Sequence, residues 1–553
     1  MKKHNTLCSG RTLIFAFVIL FIISSYFFLF KNNSNFSSGC EDKFSIKGDD
    51  SLLFKEENET GSSTNAEEYF SKWFYPYGNY LPPDIIEQIQ SQIKKMPSEN
   101  YTGEEDSWHC IGPYGIKHGT ESYYSGRILS IEQPVSPGYG LRIGSSTGGL
   151  WEYENSHWVP LSDNIDNINS LSISAFATKP DDGNIIFIGT GDFKDFAGSG
   201  LWKTTDKGRS WSNVALDPEP TFFSRIKFST SNHDVIHISS DVGYFRSDDA
   251  GNTWTRKLSG RTTCLAINPN NKILYTGIFG DGLYRSTNEG NNWSKLTAGG
   301  IPTSNIGKVA ISIAASNPKV VYAAITTNNK NNPAGDTLQG IYKTTDDGES
   351  WSDVRSNVKY IPWTGDYFNE IAVDPKNPNI VIAAAIEMVR TTDGGKNWTK
   401  VNSIDVHMDH KALLWSVDGK TLWDCNDGGL SVTTNEGVNW NTETNVLPIT
   451  QFYYFDIGDN NHNVIAGGVQ DNGFIMTTDG GYSWNFKLGG DGGGASIDPG
   501  NTANIFGAIY TDIYVSSDNG VKFTKTTSGK DDCKGNPRLS AIRNDRGNPP
   551  VFY

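Results

Sequence analysis

From Trp108 to the C-terminus the chain cycles through one pattern of apolar and polar positions. Residues 369–401, NEIAVDPKNPNIVIAAAIEMVRTTDGGKNWTKV, show it in full. An apolar run, EIAV, is followed by the Asp-Pro-x-Asn-Pro turn signal. A second run, IVIAAA, leads to a third segment carrying VRT, then TTDGGKNW, then a fourth short segment. Runs of four to eight apolar and β-branched residues bounded by Gly, Pro, Asn and Asp predict strands joined by tight turns. Each unit therefore predicts four short strands.

The octapeptide TTDGGKNW measures the repeat. Related strings close on Trp211, Trp254, Trp293, Trp351, Trp398, Trp440, Trp484 and Phe523, at intervals of 39 to 58 residues. A degenerate copy, GGLWEYENSHW, closes on Trp158 and makes nine. Four-stranded units at a period of ~40–50 residues predict radial blades, so the fold class expected is all-β, a multi-bladed β-propeller of nine or more blades. The blades form one large ring or two smaller ones. Within the octapeptide, Asp206, Asp249, Asp346, Asp393, Asp479 and Asp518 stand third, where a carboxylate bonds the amides of its own loop; Asn288 and Asn435 replace them in two copies. Gly in fifth position supplies positive φ and the closing Trp packs between strands. These Asp residues are expected to be structural.

The remaining 107 residues read differently. Residues 1–11 carry positive charge and are expected to be cytoplasmic. Residues 12–30, TLIFAFVILFIISSYFFLF, hold no charge and are long enough for a signal anchor or a signal peptide. Residues 31–63 read as a polar flexible stalk, and residues 64–107 as a helical preface with Ile85, Ile86, Ile89 and Ile93 at helical spacing after Pro82 and Pro83. The propeller is assigned residues 108–553, with its last blade incomplete. The expected localisation is membrane-anchored with the propeller extracellular or luminal, or secreted. Asn32, Asn35, Asn58 and Asn100 lie in sequons. Beyond the apolar run, Cys40, Cys110, Cys264, Cys425 and Cys533 make neither a disulfide scaffold nor a metal spacing. A formal charge of −15 removes nucleic acid as a partner.

Blade geometry locates candidate chemistry. With strands lettered A to D from the channel outward, the octapeptides are C–D turns, so loops B–C and D–A share the opposite face. The B–C loops hold Asp192, Asp241, Asp281, Asp427 and Asp471. The D–A loops hold Asp366, His407, Asp409, His410 and Asp491. Asp-Gly turns are ordinary turn chemistry, yet Asp427, Asp471 and Asp491 on consecutive units also satisfy the need of glycoside hydrolysis for paired carboxylates. Trp363, Tyr367, Phe368, Phe193 and Phe196 are aromatic groups suited to stack on a sugar or pack on a peptide. Four carboxylates and two imidazoles near one rim also suit a cation, but no metal or cofactor is assigned from chain spacing.

The pattern S/T-x-D-x-G-x-x-W resembles the Asp-box, or BNR repeat, found in sialidases, in family 74 glycoside hydrolases and in ten-bladed sortilin-type receptors. The sialidase likeness lacks the arginine triad and a motif like FRIP; FSRIKF does not supply it. Family 74 implies one catalytic Asp in a first-blade motif like TDVGGAYRW and another in a turn like GDVGGF. GSSTGGLWEY puts Ser146 at the first position, while QDNGF puts Asp471 at the second. The resemblance thus implies a peptide- or glycan-binding propeller of sortilin type, using His407, Asp409, His410, Asp366, Trp363, Tyr367 and Phe193. Its alternative is a xyloglucanase-like hydrolase using Asp471 with Asp427 or Asp491. Ten blades in one ring imply the receptor, and seven-bladed rings the hydrolase.

Overall fold

The computed structural model describes residues 110–526, apart from 120–121, 167, 169, 194, 271, 329–336, 357, 359–366, 402–405 and 443–445. The expectations for residues 1–107, for the strands after residue 526, and for Trp363 and Asp366 lie outside the described residues. Among the described residues all regular structure is strand, and no helix is long and apolar enough to cross a membrane. The chain divides into two compact units, whose described parts are residues 118–449 and residues 110–117 with 450–526.

Residues 118–449 close into a ring of seven blades. Six are four-stranded antiparallel meanders. The sixth runs Glu370–Val373, Val381–Ala384, Met388–Thr391 and Thr399–Lys400, the four segments read from its sequence. In the seventh the outer strand shrinks to a single bridge between Val432 and Asn441. Closure is visible in the core. Ile128, Ile143, Trp151 and Trp158 of the first blade pack in one buried cluster with Ala412, Cys425, Leu430, Leu447 and Ile449 of the seventh. Other clusters fill seams between consecutive blades, for example Phe187 with Phe223, Ile236 and Phe245 between the second and third. Inner strands also bond across seams: Ser130 Oγ donates to Ile173 O at 2.9 Å, and Val373 N to Ser312 Oγ at 3.1 Å. Gly189 allows this approach, since a Cβ there would meet the Phe223 ring at 2.3 Å. Cys264 and Cys425 are buried thiols within these seams.

The second unit holds two further blades, Phe452–Leu488 and Gly492–Lys525 in extent. Strand Ile116–His118 pairs in parallel with the outer strand of the first of them, Ile116 opposite Trp484.

Each octapeptide is a closed local network. Asp206 Oδ1 accepts from Thr204 Oγ1 at 2.7 Å and from Ser210 N at 2.9 Å, while Ser210 Oγ donates to Oδ2 at 2.6 Å. Thr204 Oγ1 in turn accepts from Gly208 N at 3.0 Å. The same pattern recurs around Asp249, Asp346, Asp393, Asp479 and Asp518. Two details correct the sequence reading. Not only the fifth residue but also the fourth is left-handed, as at Lys207 (φ 59°) and Gly208 (φ 82°), because the loop must reverse within one residue pair. The closing Trp also reaches beyond its own strands: Trp211 Nε1 donates to Leu161 O at 3.0 Å and Trp398 Nε1 to Val354 O at 2.8 Å, both on the preceding blade.

Candidate functional site

In the seven-bladed ring, residues just before strand A and just after strand B meet at the channel end away from the Asp-boxes. Arg127 precedes Ile128–Glu132, Ser146 follows Arg142–Ser145, and Asp192, Phe193 and Asp195 follow Asp182–Thr190. Tyr367 and Phe368 precede Glu370–Val373, Lys411 precedes Ala412–Trp415, and Asp427 follows Leu422–Asn426.

These groups interlock around Arg127. Its Nη1 donates to Asp192 Oδ2 at 3.2 Å, to Tyr367 Oη at 2.8 Å and to Asp195 Oδ2, and its Nε lies 2.9 Å from Asp427 Oδ1. Tyr367 Oη donates to Asp195 Oδ2 at 2.8 Å, and Ser146 Oγ to Asp192 Oδ2 at 2.6 Å. Lys411 Nζ lies 3.3 Å from Asp427 Oδ1 and above the rings of Tyr367 and Phe368, at 3.7 and 4.0 Å from their centres. Arg127, Asp192 and Asp427 are each at most 5% exposed. Buried charge is tolerable here because every carboxylate faces a cation.

The environment separates the two buried acids. Burial and the charge of Asp195 push Asp192 up to about 6, against the pull of Arg127, Lys411 and the Ser146 hydroxyl. Burial would also raise Asp427, but Arg127 and Lys411 outweigh it and hold this carboxyl below its ordinary value. Burial also pushes Tyr367 well above the ordinary phenol value.

Other expected residues have different surroundings. His410 is buried with Nδ1 at 2.9 Å from both oxygens of Asp424, which also accepts from Asn426 Nδ2 at 2.8 Å. That network is closed within the seventh blade. His407 stands edge-on to Tyr124 at 5.1 Å, with Nδ1 at 2.9 Å from Met408 O. Asp409 takes a left-handed backbone (φ 68°). Asp241 ties its loop to the one that precedes the same blade, through Thr221 N and Oγ1, and Asp281 pairs with Lys295 and Tyr284. Among the described residues no group of three His, Cys, Asp or Glu side chains converges as metal ligands would. In the second unit, Asp471 (φ 58°) tops a tight turn whose N–H donates to the buried Asp491 Oδ1 at 2.9 Å. The Asp471 side chain is itself partly exposed.

Sequence reasoning missed the cations. Arg127, Lys411, Lys308 and Arg261 stand at or beside D–A positions, in the same loops scanned for acids and aromatics. The signal was their place in the repeat, since a basic residue opening an inner strand points its head into the channel.

The chain has informative likenesses. The family model described as "Sortilin, neurotensin receptor 3" matches residues 240–385. A Paenibacillus xyloglucanase is 22% identical over 314 residues, 47% of this chain and 30% of its own length. A xyloglucanase of Acetivibrio thermocellus is 24% identical over 311 residues, 45% of this chain and 35% of its own. The chain thus spans about a third of these curated relatives. Among solved structures, a GH74 enzyme of Niastella koreensis superposes with a TM-score of 0.60 at 16% identity, covering 78% of this chain and 69% of that one. The GH74 xyloglucanase of Xanthomonas campestris gives 0.52 at 15%, covering 79% and 87%. In fold, the chain is a sortilin-like, GH74-like Asp-box β-propeller.

Proposed function

We propose that the protein is a GH74-like glycoside hydrolase acting on a β-glucan of the xyloglucan type. The observation that carries this reading is the closure of residues 118–449 at seven blades, the ring size that the hydrolase resemblance implies and the ten-bladed receptor does not. Likeness to xyloglucanases supports the same substrate class. Asp471 is the partly exposed carboxylate, and Asp491 fixes its turn as a positioning residue. Ser146 occupies the first-blade position where the resemblance implies a carboxylate. Its hydroxyl nevertheless touches one, Asp192, whose raised value is a property of the ring's own ion-pair cluster. Asp427 belongs to the same cluster, where Arg127 and Lys411 hold it below its ordinary value. Export, tethered or secreted, belongs to this proposal and rests on residues 12–30.

The second reading is a glycan-binding propeller without turnover, favoured by that same Ser146. A reducing-sugar assay on xyloglucan and other β-glucans, with Asp471→Asn alongside, separates them. Hydrolysis by the full chain should fall by about two or more orders of magnitude in the variant. Binding in affinity electrophoresis with no hydrolysis by folded protein would replace the hydrolase by the binder.

A further inference from the structure

Four seams of the seven-bladed ring share one tie. A basic residue on strand C, just before the Asp-box, bonds the fourth residue of the next blade's box. Lys203 Nζ donates to Ala250 O at 2.9 Å and Arg285 Nη1 to Asp347 O at 2.8 Å. Lys343 Nζ donates to Gly394 O at 3.4 Å, and Arg390 Nη2 to Glu436 Oε2 at 3.0 Å. The seam between the third and fourth blades departs from this pattern. Its strand C residue is Arg246, whose side chain bonds only Asp248 of its own turn, at 2.5 Å from Nη2. Arg246 Nε and Nη1 are buried without an acceptor. Contact with the fourth blade's box passes through Tyr244 instead. A Cβ on Gly290 would lie 1.9 Å from Tyr244 Oη, and the Tyr244 ring meets Trp293 edge-on at 4.9 Å. His237 Nδ1 holds the Tyr244 hydroxyl at 2.7 Å, while His237 Nε2 is buried without a partner.

We infer that the seam between the third and fourth blades is an acid-sensitive latch, loosened when His237 takes up a proton. The imidazole is fully buried. Tyr244 and Arg246 face it from strand C, Lys227 stands opposite on strand A, and Asp248 and Glu289 lie in the two flanking boxes. Both carboxylates are already engaged. Asp248 holds Arg246, and Glu289 Oε1 accepts from Ser229 Oγ at 2.5 Å and Ser231 Oγ at 3.1 Å. Glu289 Oε2 also lies 3.8 Å from Lys272 Nζ. A protonated His237 would bury an N–H without an acceptor at Nε2 and set a second positive charge beside Arg246. Burial and then Arg246 depress His237 from its ordinary 6.5 to about 4, although Glu289 and Asp248 pull the other way. The closed seam therefore takes the proton less readily than the open one. Its stability is complete above about pH 6.5 and drains as pH falls towards 4. The inference is independent of whether the protein hydrolyses glycans.

Hydrogen exchange of the full chain at pH 7.5 and pH 4.5, read by mass spectrometry and corrected for the intrinsic pH dependence of exchange, tests it. Protection of residues 236–247 and 282–293 should fall about tenfold or more on acidification. Residues 381–391, on the seam tied by Lys343, should lose much less. His237→Gln keeps a polar group for Tyr244 and cannot titrate, so its acid loss at residues 236–247 should shrink to that of residues 381–391. Equal acid loss in the two segments of the wild type would overturn the inference. So would an undiminished loss at residues 236–247 in folded His237→Gln. Should that variant not fold, the comparison of segments within the wild type decides.

Discussion

Asp192 and Asp206 belong to one blade and stand at its opposite ends, yet their protons behave in opposite ways. Asp206 sits in a solvent-facing turn and collects hydrogen bonds from Thr204 and Ser210, which hold it at about 2. Asp192 is buried beside Asp195 and is pushed up to about 6. The same carboxyl is a local staple where donors come from its own loop, and a poised acid where walls come from other blades. Burial alone does not make the difference, since Asp427 is equally buried and is held low by two adjacent cations. What decides is whether the charge is met by donors aimed at it or by another charge of the same sign.

The sharpest way to break this contrast is to remove the cation at its centre. Arg127→Met should cost roughly 3–5 kcal/mol, because it strands Asp192, Asp195 and Asp427 together. Urea unfolding should show that loss to be larger at pH 8 than at pH 5, where Asp192 is largely protonated.

A smaller effect is expected from Asp192→Asn, and it carries a sign. The folded pKa lies above the unfolded value, so the folded state holds the proton more tightly. Stability therefore falls as pH rises from about 3.8 to about 6, by at most about 1.4 kcal/mol per unit. Relative to the variant, the wild type should lose stability across that window and not beyond it. A flat difference between pH 4 and 7 would remove Asp192 from the poised class.

The smallest effect belongs to the other end of the blade. Asp206, Asp249 and Asp393 are each held at about 2, so their contribution is present above about pH 4 and fades as pH falls towards 2. Asp206→Asn should fold normally, since Asn288 and Asn435 already make the same turn bonds, with Asn292 N and Asn439 N donating at 2.9 Å. Its acid-unfolding limb should shift slightly to lower pH, measurable by tryptophan fluorescence.

Legibility in the sequence follows the range of the interaction. The four strands of the sixth blade and all the Asp-box networks could be read because their partners lie two to four residues apart. The sequence singled out Asp471 by its tight turn, and Tyr367 and Phe193 by their place in the repeat, as candidates only. His410 misled, since a His beside Asp-rich loops looks like a rim group, whereas in the fold it faces Asp424 inside its own blade.

The sequence by itself determined the blade, since turn residues and strand periodicity act over a few residues and repeat nine times. Only the tertiary structure decided the ring. No repeat announces that the seventh blade packs on the first, because Trp158 and Leu447 meet only when the accumulated twist brings them round. It also decided the chemistry of the channel end. Arg127 meets Asp192 across 65 residues of chain and Tyr367 across 240, and burial in that crowd, not identity, gives Asp192 its poised proton.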